Sequence, residues 1–580
     1  MRPEIRRKRG NIVQLVTLDW VIIACVLALI IGIGLYVSRR AAQNSTSFFL
    51  GGRNMPWWLL GTSMVATTFA ADTPNLVTGL VRENGVAGNW GWWAFLITGM
   101  ISAFVYAKLW RRLGVVTDIE FYEQRYSGKP AAFLRGFRAV YIGVFFNIMV
   151  MANVTLALIK YANVLFGISP EIVVLIAGLV TVTLSVSGGL MGVLVTDFFL
   201  FILSMIGALC AAWFAVNHID VGGLTEMMNR PEIADKKSFF PDFADPNQYV
   251  PILLIPLLIQ WWSAWYPGSE PGGGGYIAQR MLAAKDEKHA TGAAVFFNIA
   301  HYALRPWPWI LVALASLIVF PNLDSMGTAL PHVDKSLIQN DLAYPAMLTF
   351  LPKGVLGLVV ASIIAAYIST MSTMLNLGAS YVVNDVYGRF INKQASEKRK
   401  VRIGQFVTVV LMIGTALLAL KLESATQAFR LLLAVGAGTG LLFFLRWFWP
   451  RINAWSEISA MVLSLLVAFG FEYFGPDNLQ LWHKFALSVG LTTLGWIIVT
   501  LLTRPTDAKI LAIFYERTSI TKGVNIRAGL IAALTASLAV YGLMFATGSI
   551  LYAQYLPAIG FGVVGIVSGY ICIRTYRKST

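Results

Sequence analysis

Nine consecutive residues, Ala66-Thr67-Thr68-Phe69-Ala70-Ala71-Asp72-Thr73-Pro74, place three hydroxyls, a carboxylate and a proline inside an apolar segment from about Trp57 to Leu80. Proline has no backbone N–H and disfavours helix in the residue before it. In hydrocarbon, backbone groups freed by a broken helix find no partner, so such a break survives only inside protein or beside a wet cavity. The chemistry on offer is ligation. Freed carbonyls and hydroxyls suit a hard cation, which takes oxygen ligands, and Asp72 can serve an ion, a proton or a solute.

A second group lies in Ala366-Tyr367-Ile368-Ser369-Thr370-Met371-Ser372-Thr373. Positions 366, 369, 370 and 373 share one helical face by the i, i+3, i+4, i+7 rule. Hydroxyls in membrane helices often only pack or bond back to their own helix, but four in five residues is dense for that. A third group is Trp261-Trp262-Ser263-Ala264-Trp265-Tyr266-Pro267-Gly268-Ser269-Glu270-Pro271, running into Gly272 to Gly275. Two prolines and a glycine run cannot sustain one straight helix. Ionisable residues deep in apolar spans are costly and mark function by default. Asp72, Asp197, Glu270 and Arg305 are the four, each with a structural alternative as a brace, a cap or a group near a membrane face.

Long apolar segments must position these groups. The chain has 580 residues, 57% hydrophobic and 13% charged, where a soluble domain carries about 25% charged residues. This predicts an all-α integral membrane protein. About fifteen transmembrane helices are expected, starting near Leu18, Trp57, Trp90, Phe133, Ile172, Met191, Val250, Ala294, Val355, Ile403, Phe429, Ile458, Ala486, Ala528 and Leu556. The run from Trp20 to Val37 is too long for a signal-peptide core and is expected to be retained. The largest polar gap, about Asn217 to Tyr249, reads as a loop, so no soluble catalytic domain is expected. Cys25, Cys210 and Cys572 all sit in apolar segments, with no metal spacing or disulfide framework.

The net charge of +16 is better explained by membrane topology than by nucleic acid, and no nucleic-acid partner is expected. Alternate loops hold 29 of the 45 Lys and Arg residues, which by the positive-inside rule puts the C-terminus in the cytoplasm. With fifteen spans the N-terminus lies outside, against the pull of Arg2, Arg6, Arg7, Lys8 and Arg9.

Spans two and seven are both interrupted and stand five spans apart. Matched interruptions are the sequence pointer to an inverted-repeat transporter site, the plainer alternative being two unrelated kinks. The motifs, in order, resemble the sodium:solute symporter family, whose fold is LeuT-like. They are Leu18-Asp19-Trp20, Phe48-Phe49-Leu50-Gly51-Gly52-Arg53, Pro56-Trp57-Trp58, Ser187-Gly188-Gly189 leading to Thr196-Asp197, and Gln279-Arg280-Met281-Leu282-Ala283-Ala284-Lys285. Gly357-Leu358, Leu375-Asn376 and Asn384-Asp385-Val386-Tyr387 complete them.

The resemblance implies a 5+5 inverted-repeat core with accessory helices. Residues 1–54 would form a tail and accessory helix, 55–218 the first repeat, 219–448 a loop and the second repeat, and 449–580 accessory helices. It implies sodium as the coupling ion, held by the carbonyls of Ala66, Phe69 and Ala366 and the hydroxyls of Ser369 and Thr370. A second sodium site would use Asp197, Ser369, Ser372 and Thr373. The solute region would offer Thr68, Asp72, Thr73, Asn147, Asn153, Gln260, Trp261 and Glu270. Span four has no arginine at its middle to receive a carboxylate, so Asp72 and Glu270 point to an amino group or to sugar hydroxyls. The expected activity is sodium-coupled import of a small polar solute (amino acid, sugar or related nutrient) by alternating access in the cell membrane, with a monomer as the transport unit. The alternatives are a proton-coupled transporter using Asp72, a transporter-like sensor needing a partner, and a membrane-embedded enzyme with Asp72 and Glu270 as an acid pair.

Overall fold

The structure is a computed structural model that describes residues 15–41, 51–185, 190–263, 270–424, 438–476, 478–520 and 525–579, with 426, 430, 433 and 436 between. Phe48 to Leu50, Ser187 to Gly189, Ala264 to Ser269, the expected start of span eleven at Phe429 and the basic residues before Gly10 lie outside the described residues.

The described elements are helical throughout. Helix α1 spans Thr17–Ala41. The expected second span is two pieces, α2 at Trp57–Thr68 and α3 at Asp72–Asn84. Helix α4 covers Val86–Leu113 and α5 covers Gly128–Phe166, each with an internal π-helical turn. There follow α6 at Pro170–Ser185 and α7 at Leu190–Val216. The seventh span begins as α8, residues 246–260, largely π-helical, and resumes as α9 at Gly275–Ala283. Helices α10 (Glu287–Val319), α11 (Val355–Ile391) and α12 (Glu397–Ala419) complete the central set. Helices α13 (Ala454–Phe474), α14 (Leu481–Leu502), α15 (Ile526–Leu551) and α16 (Tyr555–Ser579) follow.

Among the described residues ten helices are long and apolar enough to cross a membrane, and Thr17–Leu29 and Pro170–Thr183 are shorter apolar stretches. Helices α2, α4, α5, α10 and α11 are buried along most of their length, whereas α12, α14 and α16 present apolar side chains outward. That exposure is what a lipid-facing rim requires, because a helix apolar all round needs either protein or hydrocarbon about it.

Two expectations change. The gap from Asn217 to Tyr249 is not a bare loop. It holds a short helix, Leu224–Met228, and docks on α3 and α4, where Val86 N donates to Lys236 O at 2.7 Å and Trp90 Nε1 to Phe239 O at 2.9 Å. In addition, Arg125, Arg138, Arg280 and Arg446, which the sequence count places among the loop charges, are all buried. The basic-face loops therefore owe part of their charge to internal pairing.

Helix α1 begins on the opposite face. Asp19 Oδ1 accepts from the N–H groups of Gly354 and Gly357 at 2.7 and 2.9 Å, at the start of α11. Gly357 permits this contact, since a Cβ there would lie 2.6 Å from Asp19 Cα.

Candidate functional site

The break in span two is three residues long. Phe69 leaves the helical region (φ −85°, ψ 62°) while its N–H still reaches back to Val65 O. Helix α3 restarts at Asp72, with Pro74 in its first turn, where a missing N–H has no intrahelical partner to lose. Asp72 thus stands at the positive end of a helix dipole.

The hydroxyl face of α11 meets this break. Thr370 Oγ1 donates to Thr67 O at 3.1 Å. Ser369 Oγ donates to Asp197 Oδ1 at 2.5 Å, and Ser63 Oγ donates to Asp197 Oδ2 at 2.6 Å. One carboxylate on α7 thereby ties α2 to α11. Arg280 from α9 joins it, donating to Ser63 Oγ at 3.2 Å through Nη2. Phe69 and Ala366 line a common small cleft with Ala70, Ala71, Pro74 and Ser362. The cleft depends on a close approach of α7 to α11, since a Cβ at Gly207 would sit 2.3 Å from Ser362 Oγ. Ser369 and Thr370 each give away their single proton here, so their remaining lone pairs can only accept, as a cation requires. Ser372 Oγ accepts from Ser185 Oγ at 3.2 Å, and Thr373 Oγ1 is buried with no hydrogen-bond partner.

On the other side of the break, Asn153 Nδ2 donates to Asp72 Oδ2 at 2.5 Å, and Thr73 Oγ1 donates to Thr68 O at 3.2 Å. Thr68 Oγ1 lies 3.0 Å from His301 Nδ1, receives Arg305 Nη1 at 3.1 Å and donates to Val65 O at 2.9 Å. Arg305 Nη2 lies 3.3 Å from His301 Nε2. Arginine only donates, so the network assigns the acceptor role to Nε2 and the proton to Nδ1. The Arg305 guanidinium also covers the rings of Phe69 and Trp309, at 5.5 and 5.1 Å.

The remaining expected residues are placed elsewhere. Asn147 Nδ2 donates to Met374 O at 2.7 Å, bracing α5 on α11. Gln260 Nε2 donates to Gly91 O at 2.5 Å, and Trp261 O accepts from Thr98 Oγ1, bracing α8 on α4. Glu270 is ion-paired with Arg138, both buried. Arg138 precedes Asn153 by fifteen residues on α5, which at 1.5 Å per residue is roughly 20 Å. Asp72 and Glu270 therefore do not share a pocket, and an acid pair acting on one bond has no geometric basis.

Sequence reasoning missed Ser63, Arg280 and His301. His301 carries a usable signal in its i, i+4 spacing from Arg305. Ser63 carries no local mark, and Arg280 stands in one of the quoted motifs without anything local that points to its partner, 217 residues away.

The sequence profile of the sodium:solute symporter family matches residues 48–464. The chain is 28% identical over 466 residues to a sodium/glucose cotransporter of Vibrio parahaemolyticus, covering 77% of this chain and 84% of that protein. It is 25% identical over 472 residues to a sodium/sialic acid symporter of Proteus mirabilis (strain HI4320), covering 78% and 88%. Against the sodium/myo-inositol cotransporter 2 of Homo sapiens it is 25% identical over 501 residues, covering 79% and 71%. Its fold resembles the substrate-bound outward-open structure of a Na+-coupled sialic acid symporter, with a TM-score of 0.67 at 21% identity, covering 85% of this chain and 99% of that one.

Proposed function

The chain belongs to the sodium:solute symporter family and is a multi-pass cell-membrane protein that couples sodium to the movement of a small solute, and we propose that the break at Phe69 divides those two tasks. Sodium sits on the α11 side, held by the carbonyls of Ala66, Phe69 and Ala366 and the hydroxyls of Ser369 and Thr370. The solute sits on the α5 side, against Asp72 and Asn153, with Thr68 and Thr73 beside them. The observation that carries this reading is the hydrogen bond from Thr370 Oγ1 to Thr67 O at 3.1 Å, which sets the α11 hydroxyls against the freed end of α2.

Asp197, Ser372 and Thr373 form a second, charged sodium position that shares Ser369 with the first. Two ions would then be linked through one hydroxyl. Asn147, Gln260, Trp261 and Glu270 act as braces of the surrounding helices. The solute is a sugar or cyclic polyol. Glucose and myo-inositol, which name two of the relatives, both present rings of hydroxyls suited to a carboxylate and an amide.

Ten long helices, two shorter apolar helices and two interrupted spans account for fourteen crossings among the described residues, and the span expected from sequence near Phe429 would be the fifteenth. Spans two to six and seven to eleven form the two repeats, the basic face with the C-terminus is cytoplasmic, and the monomer is the transport unit. Crossing 100 mV is worth ~2.3 kcal/mol per charge, and a tenfold gradient ~1.4 kcal/mol. One sodium supports roughly 500-fold accumulation by that arithmetic. Uptake into proteoliposomes with an imposed sodium gradient tests the assignment. Ser369→Ala and Thr370→Ala should each raise the sodium concentration for half-maximal uptake about tenfold, and unchanged sodium dependence in both removes the site.

A further inference from the structure

Helices α3 and α5 run parallel and in register. Asp72 at the head of α3 is bonded to Asn153 on α5. Seven residues further along α3, Gly79 abuts Asp341, where a Cβ would sit 3.3 Å from Asp341 Cβ. Seven residues further along α5, Lys160 holds that same Asp341 at 2.7 and 2.8 Å. Both ends of a two-turn seam, roughly 10 Å long, are therefore pinned by charged contacts.

Between the pins, and at the residue just beyond Lys160, the seam carries unsatisfied polar groups. Both amide atoms of Asn75, the hydroxyl of Thr78 and the phenol of Tyr161 are buried without a hydrogen-bond partner, as is Asn153 Oδ1. Asn75 follows Asp72 by three residues and precedes Gly79 by four, so it faces the same seam. Tyr161 lies within electrostatic reach of both Asp72 and Asp341 and meets Tyr344 edge-on at 6.2 Å. Buried polar groups are nearly always paired in native proteins, and each exception calls for an explanation.

Resting on the reading of Asp72 and Asn153 as solute ligands, we propose that Asn75, Thr78 and Tyr161 form an outer subsite of the same pocket that reads the hydroxyl groups of a polyhydroxylated ring. An amide, a hydroxyl and a phenol each donate and accept, as every hydroxyl of such a solute does. None carries a formal charge, so the subsite adds selectivity for neutral hydroxyls beyond the one carboxylate at its inner end. A site built to hydrogen-bond a hydroxyl rejects the analogue that lacks it far more strongly than an apolar pocket rejects one methylene.

The test is initial-rate uptake of radiolabelled D-glucose, D-mannose and myo-inositol, each with and without a sodium gradient, by the full chain in proteoliposomes. Mono-deoxy analogues compete against whichever probe is carried. Asn75→Ala and Tyr161→Phe should each raise KM at least tenfold while leaving kcat and the half-saturating sodium concentration within twofold. At least one deoxy analogue, weaker than its parent in the wild type, should lose no further ground in Asn75→Ala. Tyr161→Phe removes one oxygen and keeps the ring, so it stands if Asn75→Ala does not fold. Sodium-driven uptake with KM unchanged in both variants overturns the subsite and leaves the sodium reading intact. Sodium-independent uptake with raised KM supports the subsite and overturns the coupling. A wild type that carries none of the three probes overturns the polyol assignment and the subsite with it.

Discussion

Lys160 and Asp341 form a two-pronged ion pair at 2.7 and 2.8 Å, with side chains 0% and 1% exposed. At an effective dielectric constant of 20 the attraction across 3 Å is about 5.5 kcal/mol, which roughly offsets a desolvation cost of several kcal/mol per ion. The pair as a whole is then near neutral against an apolar pair, while either charge left alone is expensive by about 3–5 kcal/mol. Lys160→Met strands a buried carboxylate and Asp341→Leu strands a buried ammonium. Each single variant is expected to lose about 3 kcal/mol or more, and the double variant to lose only about 1 kcal/mol, giving a coupling of about 5 kcal/mol. Unfolding midpoints in an SDS titration measure the cycle. Since the contact closes one end of the α3–α5 seam, the single variants should also favour a form in which the seam is open, by roughly 150-fold for 3 kcal/mol. Thr78→Cys, at a fully buried position, reports that form through its rate of modification by a membrane-impermeant thiol reagent. Additive single variants, with coupling below about 0.5 kcal/mol, and an unchanged rate at Thr78→Cys would refute the reasoning.

Asp72→Asn should abolish solute binding at every pH, measured by equilibrium binding across pH 5 to 9 with the carried probe; retained binding with loss only of pH dependence would make Asp72 a proton carrier. Gly378→Ala should prevent α11 from seating on α5, because its Cβ would lie 2.5 Å from both Gly143 O and Asn147 Nδ2, and the folded yield after detergent extraction reads the effect. Arg305→Lys loses the planar fork that reaches Thr68 and His301 together and should reduce uptake at least tenfold at saturating sodium. On the basic face, partial burial pushes the Glu123 pKa up, but hydrogen bonds from Arg389 and Arg135 more than reverse this and hold it below its ordinary value of 4.5. A lowered folded-state pKa means the contribution is fully present above about pH 4.5 and is lost as pH falls through the folded value, so Glu123→Gln should flatten the acid limb of the stability profile.

The sequence exposed the features that local pattern controls. Pro74 and the hydroxyls around it located the break to within the residues where α2 ends and α3 begins, and the i, i+3, i+4 spacing of Ala366, Ser369 and Thr370 put them on the face that meets it. Pairing across long separations was not legible. Arg138 reads locally as one more loop arginine, and only the return of the chain 132 residues later brings Glu270 to it. Lys160 and Asp341 lie 181 residues apart, in segments whose apolar periodicity says nothing of each other. Asp72 and Glu270 looked alike in sequence because each sits by a proline in an interrupted span. Their difference comes from which helix each faces.

The three residues from Phe69 to Ala71 also set a mechanical advantage. Helix α3 has thirteen residues and is therefore an arm of about 20 Å. A rotation of 10° at its inner end sweeps the far end through about 3.5 Å, more than a hydrogen bond can stretch. That far end is not free to swing. Lys236 of the polar segment after α7 holds it through Nζ to Glu83 O at 2.8 Å and holds the start of α4, two residues on, through its backbone carbonyl to Val86 N. Any torque delivered to α3 at the break must drag this segment with it. A stretch that reads in sequence as mere connection is thus tied to the far end of the arm, and the two would have to move together.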